Sequence, residues 1–190
     1  MLLSPMEIID MVVMTFIIGY IFKDVFPVQE QPTIIDIDYI QRVEYNRFWF
    51  AILAVAPAIL LHELGHKFAA IAFGITATFH AAYSFLLLGL VLKVMNFPFI
   101  FFIPAYVSHG PTTVLAGTII AFAGPLVNGI LWLIARYSLN QRLVPKKYRT
   151  LMFFVQYING FLFVLNMIPI PGFDGYHVLS GLMQLAQTLF

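Results

Sequence analysis

Two runs without a formal charge, 25 residues at 68–92 and 42 residues at 94–135, constrain this chain more than any other feature. The hydrocarbon core of a bilayer is crossed by a helix of about 20 apolar residues, so the middle third must largely occupy a membrane. Composition agrees: 61% of residues are hydrophobic, 10% are charged, and mean hydropathy is +0.91. A soluble domain carries about a quarter charged residues, and ten basic plus nine acidic side chains are too few to coat a water-facing surface of this size. A net charge of +1 gives no argument for a nucleic-acid partner. The expected fold class is an all-α polytopic membrane protein, with about five to six transmembrane helices and a small re-entrant, strand-containing segment.

The charges punctuate the chain and show where bilayer can be. Only 12 residues separate Asp10 from Lys23, a short span unless Asp10 faces protein. Residues 24–46 hold five acidic side chains with Pro27 and Pro32 and read as the main water-facing loop. Residues 48–72 are a second helix, ended by Gly74 and bent at Pro57. The segments 75–81 and 99–107 are rich in β-branched, aromatic and proline residues and read as strands flanking a short helix at 85–95. Open strand edges cannot face lipid, so these strands must line protein or a water-filled cavity. Full-length helices are expected at 112–135 and 151–168, joined by a basic loop, with a last helical segment at 174–190. The N-terminus lacks the basic start and small-residue cleavage pattern of a signal peptide and is read as retained. The whole, 1–190, reads as one integral-membrane domain, an N-terminal helix and polar loop at 1–46 followed by a catalytic core at 47–190, with no separate soluble domain.

Inside the second apolar stretch lies His62-Glu63-Leu64-Gly65-His66. At 3.6 residues per turn, histidines four apart share one helix face and can reach a single zinc ion, with Glu63 beside them as the natural general base. The absence of cysteine leaves His, Asp and Glu as ligands, the donor set of catalytic zinc rather than of zinc fingers. A partner appears at 166–175, NMIPIPGFDG, where two prolines and two glycines break helical bonding at membrane depth. This irregular backbone leads to Asp174, the only acidic side chain after Glu63. An intramembrane carboxylate is by default a functional candidate, so His62, His66 and Asp174 form the expected set for one Zn2+ per chain, with a fourth position left for water. Asp174 has a second reading as a helix N-cap. His177, one turn on, is a rival ligand, and His80 and His109 read as packing or interface residues.

Three ordered motifs, HELGH at 62–66, AGPLVN at 123–128 and NMIPIPGFDG at 166–175, resemble those of the site-2 protease family of intramembrane zinc metalloproteases. One departure is Phe173, where that family usually has Leu. The resemblance implies that His62, His66 and Asp174 hold zinc, that Glu63 is catalytic, and that Asn166 engages the substrate backbone. For Asn128 two readings stand open, substrate contact and a bond between helices. The implied partners are the lipid bilayer and a transmembrane protein substrate; oligomeric state is not legible. The implied location is a prokaryotic cell membrane.

The expected chemistry is peptide hydrolysis, in which zinc polarises the scissile carbonyl and lowers the pKa of water to about 7 while Glu63 carries the proton to the leaving amine. A transmembrane substrate must unwind first, and the strand-like segments supply an edge to which it can add. Two other classes fit the sequence less well: a metal transporter or channel, which has no need of a base beside the metal, and an inactive relative that binds membrane proteins without cutting them. The zinc ligands must share one depth, so the chain needs an even number of crossings between the HELGH and AGPLVN helices. That places 24–46 and the basic loop at one face. The positive-inside rule puts that face in the cytoplasm, whereas the resemblance turns the active site itself toward the cytoplasm.

Overall fold

A computed structural model describes residues 2–26, 37–97 and 103–188. The chain is mostly helical: α1 (Pro5–Phe22), α2 (Ile37–Ala72), β1 (Ala77–Ala81), α3 (Tyr83–Val94), β2 (Ala105–His109), α4 (Val114–Asn140), a 3-10 turn at Lys146–Tyr148, α5 (Arg149–Asn166) and α6 (Asp174–Gln187). Among the described residues, four helical stretches are long and apolar enough to cross a membrane: Pro5–Phe22, Tyr45–Ala72, Val114–Asn140 and Lys146–Asn166. That is fewer than the five to six expected, because α3 and α6 have 12 and 14 residues, short of a bilayer's thickness.

α1 begins at Pro5, well before the charge-free stretch that suggested it. Ser4 and Glu7 form a capping box, and Glu7 and Asp10 are both buried against protein, which lets an acidic first half belong to an apolar helix. The loop expected at 24–46 is shorter than that. Residues 37–46 continue α2 upstream without a break, since they contain neither proline nor glycine and a helix need not end where its apolar stretch does. Residues 27–36, with both loop prolines, lie outside the described residues, as do 98–102, which include the first part of the second strand expected at 99–107. Two strands do form, at later starts than the expected 75 and 99 and with the second running on to His109, in an antiparallel pair whose register sets Ala77 opposite His109 and Ala81 opposite Ala105.

The core gathers Met14 and Ile18 of α1, Ala51, Ala54 and Val55 of α2, Phe79 of β1, Leu86 of α3 and Ala105 of β2. The hairpin is therefore packed into the helices rather than laid upon them. At one end of the bundle Phe26, Phe50 and Phe154 meet, with ring centroids 4.8 to 5.9 Å apart. This contact brings the end of α1, the upstream half of α2 and the start of α5 to the same face. Asp24 pairs with Lys93 and lies 3.9 Å from Arg47 at that end. α4 runs antiparallel to α2, with residue 128 beside 58 and 62 and residue 120 beside 66. Gly65 permits this approach, since a Cβ there would come within 2.9 Å of the Ala123 carbonyl oxygen.

Candidate metal centre

His62 and His66 sit on one face of α2, as their spacing requires, and both are buried. Their Nε2 atoms are 3.1 Å apart. From the far end of the chain Asp174 presents Oδ2 at 3.1 Å from His62 Nε2 and 3.4 Å from His66 Nε2. Phe173 is the N-cap of α6 and caps with its backbone alone, so the Asp174 carboxylate is turned to the histidines instead of to the helix end. The turn that delivers it contains Gly172 at φ +102°, a left-handed conformation that glycine adopts without strain. Gly175 is required by proximity: any Cβ there would collide with the Met167 carbonyl group.

The other ring nitrogens fix how the imidazoles are oriented. His62 Nδ1 is 2.6 Å from Asn128 Oδ1, and the Asn128 amide nitrogen donates to the Ala58 carbonyl at 3.0 Å and to Asn159 Oδ1 at 2.9 Å. With its NH2 group so engaged, Asn128 offers His62 an oxygen, and His62 Nδ1–H donates to it. His66 Nδ1 is 2.7 Å from the Ile120 carbonyl of α4, another acceptor. Both Nε2 atoms therefore turn toward each other and toward one oxygen of the Asp174 carboxylate. Two imidazole nitrogens and a carboxylate oxygen converging on one point are nitrogen and oxygen ligands of the type zinc accepts. Among the described residues, His62, His66 and Asp174 form the one group of this composition, with ligand atoms all within 4.8 Å.

A cavity of about 910 Å³ opens on this cluster. Glu63, Asn166 and His177 line it with the three candidate ligands, as do residues 103–107 and apolar side chains of α5. Asn166 is thus a lining residue of the cavity. Asn128 is not: it is fully buried behind His62, and of its two sequence readings the bond between helices is the one observed, because all its polar atoms are committed to α2 and α5. His177 lines the cavity without joining the ligand group. His80 bonds Ser108 Oγ at 3.0 Å and lies against Tyr106, while His109 Nδ1 contacts the Gly110 carbonyl, which are local packing roles.

Sequence reasoning missed a second polar cluster. Lys67, directly after His66, is 1% exposed and pairs with Glu7; the signal available was that ionisable groups at membrane depth seek one another.

Fold and site together define a helical protein of membrane-spanning character built around a His, His, Asp group able to hold a metal ion. No family model matches the chain, and no solved structure matches it. Over 183 residues it is 32% identical to a protein of Methanocaldococcus jannaschii named "Putative zinc metalloprotease", with 93% of this chain and 85% of that protein covered. The chain belongs to the family of that protein.

Proposed function

We propose that this protein is an intramembrane zinc metalloprotease of the site-2 protease type, cutting peptide bonds in transmembrane substrates. The observation that carries the reading is the convergence of two imidazole nitrogens and the Asp174 carboxylate beside Glu63, with both histidines on a helix long and apolar enough to span a bilayer. His62, His66 and Asp174 would hold the zinc, which supplies Lewis acidity toward the scissile carbonyl and toward water. Asn128 Oδ1 and the Ile120 carbonyl orient the imidazoles by accepting hydrogen bonds from their Nδ1–H groups. Glu63 takes a proton on its carboxylate from the attacking water and passes it to the leaving amine.

The substrate backbone needs partners once its own helix opens, and β2 supplies them. In the antiparallel ladder the Ala105, Val107 and His109 backbone groups point away from β1, and no described residue bonds them. Residues 103–107 and His109 border the cavity, so an extended peptide adding along β2 would run past Glu63 and the candidate ligands. Asn166 would meet the same backbone with its side-chain amide. A substrate segment that unwinds readily, with glycine or proline near the cut, suits this geometry.

The test is incubation of detergent-purified wild type and Glu63→Gln with a panel of single-span Leu/Ala peptides carrying a central Asn-Gly or Gly-Pro break, alongside a zinc assay. Wild type should cut members of the panel, and Glu63→Gln should keep its zinc while losing cleavage by about 10²-fold or more. Cleavage unchanged in Glu63→Gln would overturn the mechanism.

A further inference from the structure

We propose that Glu7, Asp10 and Lys67 are positioning residues that decide which peptide bond is cut, by locking the β1–β2 hairpin in one register against the metal-binding helix. The inference rests on the proteolytic reading above and extends it from reaction type to cleavage position.

The ladder bonds join Gly110 N–H to the Thr76 carbonyl and Ala82 N–H to the Pro104 carbonyl. In an antiparallel pair such residues alternate with ones whose backbone groups point outward, so Ala77, Phe79 and Ala81 turn theirs away from β2. Each of those three positions is held by a charged side chain. Lys67 Nζ donates to the Ala77 carbonyl at 2.8 Å, Phe79 N–H donates to Glu7 Oε1 at 2.7 Å, and Ala81 N–H donates to Asp10 Oδ2 at 3.2 Å. The set is closed on itself. Lys67 also bonds Glu7, the second Glu7 oxygen accepts from Ser4 N–H, and the second Asp10 oxygen accepts from the Tyr83 hydroxyl at 2.6 Å.

All three side chains are at most 6% exposed, and charges so placed are costly compared with apolar packing of the same volume. Apolar contacts alone would cover the edge of β1, but they tolerate sliding. Directional bonds at three successive outward positions admit one register, and a strand that slips does so in steps of two residues if its faces are to be kept. Lys67 is covalently next to His66, so the register of β1 is fixed relative to a metal ligand. The ladder passes that register to β2, and β2 passes it to the peptide lying on its free edge. The same bonds close β1 to substrate, leaving one edge for capture.

The experiment compares product termini by mass spectrometry for a panel peptide that wild type cuts. The variants are Asp10→Ala, the conservative Asp10→Asn, and the charge-neutral double variant Glu7→Gln/Lys67→Met, which retains an acceptor for Phe79 N–H. Asp10→Ala and the double variant should keep zinc and produce a second cut displaced by two residues. Its share relative to the original cut should rise about fivefold, the equivalent of one net hydrogen bond, and Asp10→Asn should restore the wild-type pattern. An unchanged product ratio in both variants, whatever their rate, would overturn the inference and leave the proteolytic reading standing. Loss of zinc together with all cleavage in both would also overturn it, since the cluster would then support the metal site rather than the peptide register. If wild type cuts no peptide in the panel, the proteolytic reading falls and takes this inference with it.

Discussion

Asn128 Oδ1 stands 2.6 Å from His62 Nδ1, and through that one contact α4 gives Nδ1–H an acceptor and turns Nε2 toward the candidate metal position. The amide is anchored in turn by Ala58 and Asn159, so His62 is held in tautomer and in angle by three helices. Replacing Asn128 with Ala should weaken zinc binding about 10- to 100-fold, whereas Asn128→Asp, which keeps the acceptor, should lose much less. Competition with a chromophoric chelator measures both. Equal affinity in wild type and Asn128→Ala would remove Asn128 from the metal centre.

Gly124 leaves room for the cluster rather than taking part in it. A Cβ at this position would lie 2.8 Å from His62 Nε2 and closer still to His66 Nε2, which is where a metal's ligand atoms must be free. Gly124→Ala should therefore lose zinc by about tenfold or more while costing only about 1–3 kcal/mol of stability, the usual range for one extra carbon in a packed interior. Helical content by circular dichroism and zinc per chain, read on the same sample, separate the two effects. Full zinc occupancy in Gly124→Ala would mean that the imidazoles sit elsewhere in solution.

The phenylalanine contacts at 26, 50 and 154 put the end of α1 and the start of α5 at one face of the bundle. Because the chain has no cysteine, single Val25→Cys and Lys146→Cys variants can be labelled without background. In sealed vesicles both should react with an impermeant maleimide, or both should be shielded. Reaction of one and protection of the other would contradict the arrangement. Whichever pair result appears also decides between the positive-inside expectation for the basic loop and the opposite orientation.

How far the sequence reached depended on the range of each interaction. The His62 and His66 pairing follows from helical periodicity within four residues, and the break before Asp174 is announced by its own prolines and glycines, so the candidate ligands were legible. The strand character of 77–81 was legible from local composition. By contrast, the Glu7–Lys67 pair joins residues 60 apart in sequence on different elements, and nothing local distinguishes a buried lysine from one that ends a span. Asn128 shows the same limit: its type allowed either a substrate contact or a helix-to-helix bond, and only its placement behind His62 decides. The upstream extension of α2 was hidden because charged residues mark the end of the membrane, not the end of a helix.

The free edge of β2 yields the sharpest separation of capture from metal binding. Val107 N–H points away from β1 and the residue borders the cavity, so proline there removes a donor that the hairpin itself does not use. Proline is tolerated on such edges, whereas at Ser108, whose backbone groups face Thr78 across the ladder, it would break the hairpin. Val107→Pro should lower kcat/KM for single-span peptides about fivefold relative to Val107→Ala, the value of one net hydrogen bond, with zinc content unchanged. Sequence expectation alone had placed the docking edge as readily on 75–81. The side chains of Glu7, Asp10 and Lys67 already occupy that edge, so on the proposed reading a peptide would add along β2. Equal kcat/KM for Val107→Pro and Val107→Ala would show that the substrate is held without β2, by side-chain contacts such as Asn166 alone.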